Sequence, residues 1–545
     1  MPYQLEPFSD VGLTPPLLES LIGQHESRAV PTLKALWTYY RNPIVALSSA
    51  AGCESGLGSR PYASTQRLYR LGQERGLPAR LVGKSAVALD DRAAARREIV
   101  IENDIAWRIH TMVDFMFGRR LSILSTAADE QTRRTIERVL DAVWESSGGI
   151  ALLQDAGLLG HVYGHVDLVV RRRDGTAEAG TDTDGAAIHA AAAVGIEVVE
   201  PTRGLALLSS EDYRTLAAYV IRYERHDPAP MDAEPGIALA RHGGAASMLS
   251  RVLGWRGEAT RGHDDGATQP VTVTEILTAA HRQVYEENRA AWGPGSRSST
   301  PARDAGPRLV LDEPNRVSLA SGVVPVVHIQ NISQPFAYAG LSEVEPLIPL
   351  QDELNTRLCD RASRVTMQSF RMYLAKGVDG FDKNPVSPGQ VWATDNIDAK
   401  VDSFGGDADA PGEDEHIEQI REAMDKASGV PPLASGVVRA KIGNLTSENA
   451  LRVTLLGLLS KTARKRVTYG RGIAQVCRLV LDALDDAGIL KTAPTDRGVR
   501  IEWPDPLPRD ERELLDAAKT KIELGVPREQ VLSELGYSPA DPGIE

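Results

Sequence analysis

Short segments of the sequence contain residue types that could carry out chemistry. The segment GKS at 83–85 has the ending of a phosphate-binding loop, in which backbone N–H groups and the lysine hold a nucleotide. That motif needs a glycine five positions before its second glycine, and Pro78 stands there instead. The sequence therefore predicts no nucleotide site at Lys84 and no ATPase activity.

Two histidines in GHVYGH have the spacing of metal ligands on a helix. His161 and His165 are four positions apart, but no glutamate follows the first one as it does in zinc-binding helices. The segment also runs into a predicted strand, which would turn the two side chains away from each other. Packing or capping histidines are therefore favoured over metal ligands.

Cysteines and known catalytic motifs offer no further site. Cys53, Cys359 and Cys477 are too few and too scattered for a disulfide framework or a CxxC metal site, and this usage fits a reducing compartment. The sequence contains no GxSxG elbow and no dinucleotide-binding fingerprint. It predicts no catalytic residue, no metal and no cofactor, and an enzyme is disfavoured.

Two basic segments could instead meet phosphate. The segment 428–453 carries Arg439 and Lys441 between two helical patterns, together with a proline pair and three glycines. The run KTARKRVTYGR at 461–471 could contact phosphate or an acidic face of a neighbouring subunit, although a solvated helix face is the more common explanation. The candidate contacts in this run are Lys461, Arg464, Lys465 and Arg466.

The chain as a whole is large and acidic. Its 545 residues exceed what one hydrophobic core organises, so about two to four packed units are expected. The net charge of -13 argues against binding nucleic acid over the whole surface, although not against local contact. No apolar run approaches the ~20 residues of a membrane span, and the start MPYQLEPFSD lacks a signal sequence, so a soluble cytoplasmic product is expected.

Helices and strands alternate in the first part of the chain, and long helices dominate the second. Helical spacing over 103–117, with Asn103 as N-cap, is followed by helices at 130–145 and 149–160. Alternating segments predict strands at HVDLVV, GIEVVEP, TLAAYVIRYE, VTVTEIL and PRLVLDE. From 341 onward long helices follow, and a strand VRIEW with two short helices closes the chain. The pattern predicts an α+β fold with surface insertions at 227–270 and 292–307.

In this order the segments resemble the portal proteins of tailed double-stranded-DNA bacteriophages. LWTYYRNP resembles the family's N-terminal tyrosine motif, NDIAWRIHTMVDFMFGRRLSI its helix leading to a glycine turn, and DAGLLGHVYGHVDLVV its helix entering a wing strand. The most specific piece is VVPVVHIQN at 323–331 followed by GLSEVEPLIPLQDELN at 340–355, which resembles the strand before the family's stem helix. The two insertions depart from the family pattern.

The resemblance implies a portal-like fold with a mixed α/β wing, long stem helices, a small clip domain and a short C-terminal helical crown. The channel (tunnel) loop would turn Arg439, Lys441 and Asn444 toward DNA in the bore. The implied units are 1–337 for the N-terminal region and wing, 338–368 for the first stem helix, 369–411 for the clip, 412–430 for the second stem helix, 431–446 for the channel loop, 447–507 for the long helix and wing strand, and 508–545 for the crown.

The resemblance also implies a mechanical role. A ring of about twelve copies would sit at one capsid vertex and form the channel for DNA packaging and ejection. A separate terminase would dock and hydrolyse ATP, and head-completion or adaptor and tail proteins would follow it. Major capsid and scaffolding proteins are further implied partners, with no membrane. The chain would be made in the host bacterial cytoplasm and end in the virion; the alternatives are a non-portal phage scaffold or adaptor and, less favoured, a packaging ATPase.

Overall fold

The structure is a computed structural model. Arg439, Lys441 and Asn444 lie outside the residues it describes, as do the GKS segment, nearly all of both insertions and most of the expected clip. None of the helices in the described ranges combines the length and the hydropathy of a membrane-spanning segment. The described residues are 3–41, 100, 102–173, 183–210, 212, 215–226, 270–288, 306–317, 322–369, 372–376, 396–404, 411–435, 448–507, 511–528 and 531.

Helices and strands alternate up to residue 330, and helices dominate after it. The earlier helices are α1 (Pro15–Gln24), α2 (Val30–Arg41), α3 (Asp104–Phe117), α4 (Glu130–Ser146), α5 (Gly149–Tyr163) and α6 (Thr183–Ala193). The strands among and after them are β1 (Ser122–Ser125), β2 (His165–Arg172), β3 (Val194–Val199), β4 (Gly204–Leu208), β5 (Leu216–His226), β6 (Pro270–Leu277), β7 (His281–Asn288), β8 (Arg308–Pro314) and β9 (Val326–Gln330). The later elements are α7 (Ile348–Ser369), β10 (Met372–Lys376), β11 (Lys400–Phe404), α8 (Pro411–Ser428), α9 (Glu448–Thr454), α10 (Leu456–Asp486), β12 (Val499–Glu502) and α11 (Glu511–Glu523).

Several helices begin and end where the sequence supplies caps. The Asn103 side chain accepts a hydrogen bond from the Ala106 N–H at 3.1 Å and caps α3, as predicted. Asp129 accepts from the Thr132 N–H at 2.8 Å and caps α4 in the same way. Gly164 has a φ of 93°, in the left-handed region that favours glycine, and so turns the chain from α5 directly into β2.

The described strands form four antiparallel sheets. A three-stranded sheet has the order β3-β2-β9, which leaves β3 and β9 as its edges. A five-stranded sheet has the order β4-β5-β6-β7-β8, and the remaining pairs are β1 with β12 and β10 with β11. The predicted strands correspond to β2, β3, β5, β6, β8 and β12. The α+β fold class is confirmed.

Two large cores organise the described residues. In the first, α10 packs on the three-stranded sheet and on α4, and Gly472 allows close contact with β9 because a Cβ there would collide with the Ile329 side chain. The second core brings α2, α3 and α5 against α7 and α8. The helices of the second half are therefore anchored on elements of the first half.

The long helices differ in their ends from the prediction. The first helix begins at Ile348, after a 3-10 turn at Glu345–Leu347, rather than at 338 or 341. The helix expected to run without interruption from 447 is broken at Leu455, whose ψ of 7° separates α9 from α10. The proposed wing, clip and crown units stay a prediction.

Candidate functional site

Helices α7 and α8 pack as an antiparallel pair, which we call the helix hairpin. Arg361 lies 3.0 Å from Asp414, and Arg364 pairs with Glu413 one turn away. The apolar residues of the seam are buried inside the subunit, so α8 turns a charged face outward. These buried residues are Leu354, Leu358, Ile417, Ile420 and Met424.

At the base of the hairpin, one buried carboxylate holds two lysines of α10. The Glu343 carboxylate lies 2.5 Å from the Lys461 Nζ and 2.6 Å from the Lys465 Nζ, and the side chains of Glu343 and Lys465 are each only 3% exposed. Lys461 also donates a hydrogen bond to the carbonyl oxygen of Ser428, the last residue of α8, at 2.7 Å. The ion pairs therefore join the chain before α7, the end of α8 and the long helix α10.

His161 of α5 completes this group. We call Glu343, Lys461, Lys465, Ser428 and His161 the root cluster. The His161 ring is fully buried, with Nδ1 2.5 Å from the Gly157 carbonyl oxygen. The His161 carbonyl oxygen accepts a hydrogen bond from the Glu343 N–H at 2.9 Å. His161 thus has a packing role at the end of α5. Its partner in the GHVYGH motif, His165, starts β2, and no cluster of metal-ligating side chains occurs among the described residues.

The electrostatics of the root cluster follow from two lysines sharing one glutamate. Burial alone would raise the pKa of Glu343, but Lys465, Lys461 and His161 together hold it below its usual value. Burial lowers the pKa of Lys465 to about 8. The Glu343 carboxylate opposes this shift, and the charge of Lys461 adds to it. Burial and the nearby Lys465 lower the pKa of His161 to about 3, so its ring is neutral at neutral pH.

Arg108 of α3 anchors the hairpin at a second point. Its side chain is fully buried and pairs with Asp425 of α8 at 2.5 Å and with Asp104 at 3.0 Å. Its guanidinium also lies 4.2 Å from the centre of the Trp107 ring. The Asp104 N–H donates to the Gln351 side chain on α7 at 3.0 Å. One end of α3 therefore binds both helices of the hairpin.

The tyrosine segment LWTYYRNP reaches the same hairpin. Tyr39 donates a hydrogen bond to the Asp352 carboxylate of α7 at 3.0 Å, and burial together with this carboxylate raises the pKa of Tyr39. The Tyr40 hydroxyl lies 2.8 Å from the His110 ring on α3. The N-terminal helix α2 thus braces α7 against α3.

The four basic candidates on α10 lie in different environments. The interpretation of Lys461 and Lys465 as contacts for DNA or a second subunit is corrected, because both side chains serve ion pairs inside the subunit. Arg466 donates to the Pro504 carbonyl oxygen at 2.8 Å and lies 5.3 Å from the centre of the Trp503 ring. Arg464 is exposed, and for this residue an external contact stays a prediction.

The acids of the site were missed by the sequence reasoning. Glu343 lies in the segment GLSEVEPL, where it looks like an ordinary charge before a helix. The sequence did contain a weak signal for a buried acidic partner. Four basic residues fall within about one and a half turns of helix at 461–466, so they cannot all lie on one solvated face. Asp104 and Asp425 carry no comparable signal, since each sits among other charged residues.

A second buried polar group lies on the three-stranded sheet. Asp167 of β2 accepts hydrogen bonds from the hydroxyls of Tyr219 at 2.6 Å and Tyr338 at 3.0 Å, and lies 2.7 Å from the His328 ring on β9. Burial would raise the pKa of Asp167, but His328 and these hydrogen bonds hold it below its usual value. The group fixes the strand that leads toward the hairpin.

Together these contacts fix the direction in which the hairpin leaves the body of the subunit. Buried ion pairs impose one geometry, because displacing either partner leaves an uncompensated charge in a low-dielectric interior. The arrangement is suited to transmitting position and force, since each anchor joins separate elements through short, charge-assisted contacts.

Comparisons with known proteins give one family match and several distant structural likenesses. Residues 273–537, just under half of the chain, match the family described as phage portal protein, SPP1 Gp6-like. No curated protein sequence matches the chain. Solved structures with similarity include a chain of the virion of a native gene transfer agent particle, at 11% identity and a TM-score of 0.37, over 80% of this chain and 89% of that one. A chain from the neck of an empty particle gives 11% identity and a TM-score of 0.39, over 80% and 90%. The family match, and not these distant likenesses, bears on the function of the chain.

Proposed function

The chain is similar to phage portal proteins over residues 273–537, and on that premise we propose that it forms the portal ring of a virion. About twelve copies would close into a ring around an axial channel, in a head-to-tail cyclic arrangement. Double-stranded DNA would enter the capsid through this channel during packaging and leave through it during ejection. The work is mechanical, and no residue of the chain needs to make or break a covalent bond.

The observation that carries the proposal is the unit formed by β9, the helix hairpin and α10. All of it lies within the matched residues, and the buried ion pairs of Glu343 with Lys461 and Lys465 join the segment before α7 to α10. The 31 residues of α10 span about 46 Å, enough to connect a hairpin at one end with the sheet and α4 at the other. Such a unit could hold a channel wall at a fixed angle to the rest of the subunit.

Exposed apolar side chains support assembly. Val453 of α9 is 73% exposed, and Leu456 and Val467 of α10 are each 61% exposed. Large apolar side chains left in water favour association when a second copy can cover them. The apolar residues that α7 and α8 turn toward each other, by contrast, are covered within the subunit.

The charge distribution suits a channel that lets a polyanion slide. The chain carries a net charge of -13, and the solvent-facing positions of α8 include Glu415, Glu418 and Glu422. Negative walls limit phosphate binding, while a few cations guide the duplex without holding it. In the proposal Arg439, Lys441 and Asn444, in the chain segment between α8 and α9, supply that guidance, and Arg464 is a further candidate.

The docking partners follow from the same proposal. A terminase would bind the segment between α7 and α8 during packaging and supply ATP hydrolysis, after which head-completion, adaptor and tail proteins would bind there. Major capsid and scaffolding proteins would surround the ring in the assembling head. The protein would be made in the host cytoplasm and reside at the portal vertex of the virion.

Native mass spectrometry of the purified chain tests the proposal. We expect a closed oligomer near twelve subunits that persists as salt is varied. A monomer at micromolar concentration under several salt conditions would contradict the ring and favour a non-portal scaffold or adaptor. ATP hydrolysis by the purified chain alone would favour the packaging-ATPase alternative.

A further inference from the structure

A groove runs beside the free edge of β9, at a distance from the hairpin. Its volume is about 720 Å³, and its lining includes the consecutive residues Val326, Val327, His328, Ile329 and Gln330 of this strand. Successive side chains of a strand point to opposite faces of the sheet. A cavity that touches all five residues must therefore run along the backbone edge of β9.

The backbone of that edge is available for pairing from the Val326 carbonyl onward, since the Val326 N–H already donates to the Val324 carbonyl oxygen at 2.8 Å. β9 is the last strand in the order β3-β2-β9, and β2 is its one partner among the described strands. An edge strand presents a row of N–H and C=O groups that can pair with another strand. The five residues span about 17 Å, which is the length of a typical strand in a globular protein.

The opposite wall of the groove is basic. Arg471, Gln475 and Arg478 recur on one exposed face of α10 and line the groove. The acid at its end, Asp482, is already paired with Arg497. No ion pair involves Arg471 or Arg478 within the described part of the chain. The groove therefore offers two arginines to an incoming negative charge.

The hydrogen-bonding groups of the β9 edge favour an acidic peptide over DNA as the ligand. A strand edge offers donors and acceptors alternately, and a phosphate backbone can only accept, so DNA would leave the β9 carbonyl groups without partners. An extended peptide satisfies both kinds of group. The side chain of Val323, which is 48% exposed and lines the groove, adds an apolar surface for a side chain of such a peptide.

We propose that the β9 groove binds an extended acidic peptide segment of a partner protein, which adds a strand to the β3-β2-β9 sheet and places its carboxylates on Arg471 and Arg478. The assignment does not depend on the ring or on the DNA channel. The sequence alone does not single out this surface. Arg471 is part of the basic run at 461–471, and nothing in the sequence of β9 shows that it is an edge strand.

The test uses the full chain and a fluorescein-labelled peptide of sequence EVDVEV, followed by fluorescence anisotropy. We expect saturable binding that weakens as salt rises, at least tenfold weaker binding of the charge-reversed peptide KVKVKV, and a comparable loss when alternate amides of EVDVEV are N-methylated. The double variant Arg471→Glu with Arg478→Glu should lose at least tenfold in affinity. Arg464→Glu, on the same helix about 10 Å before Arg471, should leave affinity nearly unchanged.

Several outcomes would overturn the assignment. Undetectable binding of EVDVEV, or binding unaffected by N-methylation, would show that no strand is added. Stronger competition by a short DNA duplex than by unlabelled peptide would mark the surface as a phosphate contact. Binding to the monomer that vanishes in the assembled oligomer would assign the groove to a second copy of this chain. A failed ring with intact peptide binding would count against the proposed function alone.

Discussion

Replacing Glu343 by glutamine should destabilise the subunit strongly, because it leaves two lysines without their shared counter-charge. The carboxylate lies 2.5 Å from the Lys461 Nζ and 2.6 Å from the Lys465 Nζ, and the side chains of Glu343 and Lys465 are 3% exposed. Removing one partner of a buried ion pair costs about 3–5 kcal/mol, since the remaining charge stays desolvated. We therefore expect Glu343→Gln to lower the free energy of unfolding by about that amount.

Urea unfolding followed by tryptophan fluorescence measures the effect, with Glu345→Gln as the matched control. Glu345 is exposed and two residues away, so its substitution should change the free energy of unfolding by less than ~0.5 kcal/mol. Lys465→Met should cost less than Glu343→Gln, because Glu343 then keeps Lys461 as its partner. The double variant Glu343→Gln with Lys465→Met should lose less free energy of unfolding than the sum of the two single losses. A Glu343→Gln protein as stable as its control would refute the role of the root cluster.

Three further predictions address pH, the basic segment between α8 and α9, and ATP. The pKa of His161 is about 3 in the folded chain and ordinarily 6.5, so the unfolded chain binds an extra proton between these two pH values. The free energy of unfolding should therefore fall as pH drops through this window, and His161→Gln should flatten that dependence in urea titrations at several pH values. An unchanged pH dependence in the variant would contradict this assignment. Changing Arg439 and Lys441 together to alanine should leave ring formation intact and reduce DNA packaged per capsid, with the defect larger at low salt, and normal packaging at every salt would show that these charges do not guide DNA. The purified chain should not hydrolyse ATP, and activity that survives repurification but is lost in Lys84→Ala would reveal a nucleotide site.

Local signals in the sequence located most helices and strands well. Asn103 predicted the start of α3, and the alternation in HVDLVV predicted β2, because a cap and a period-two pattern act over a few residues. The similarity to phage portal proteins, which rested on the order of degenerate segments, is confirmed by the family match. Order along the chain thus carried more information than any single motif.

Other features depend on contacts that the sequence does not display. β7, with the sequence HRQVYEEN, lacks an apolar alternation and is a strand because it pairs between β6 and β8. The break at Leu455 occurs within a pattern that favours one continuous helix. Lys465 looked like part of a solvated basic face, and its burial follows from the position of Glu343, which is distant in sequence. Such pairings are set by tertiary packing and not by local propensity.

Images of the purified chain by negative-stain electron microscopy test the portal assembly most directly. We expect closed rings with a central hole, and class averages with about twelve subunits viewed down the axis. Uniform compact particles without a hole, at concentrations where the protein is folded, would contradict a portal assembly.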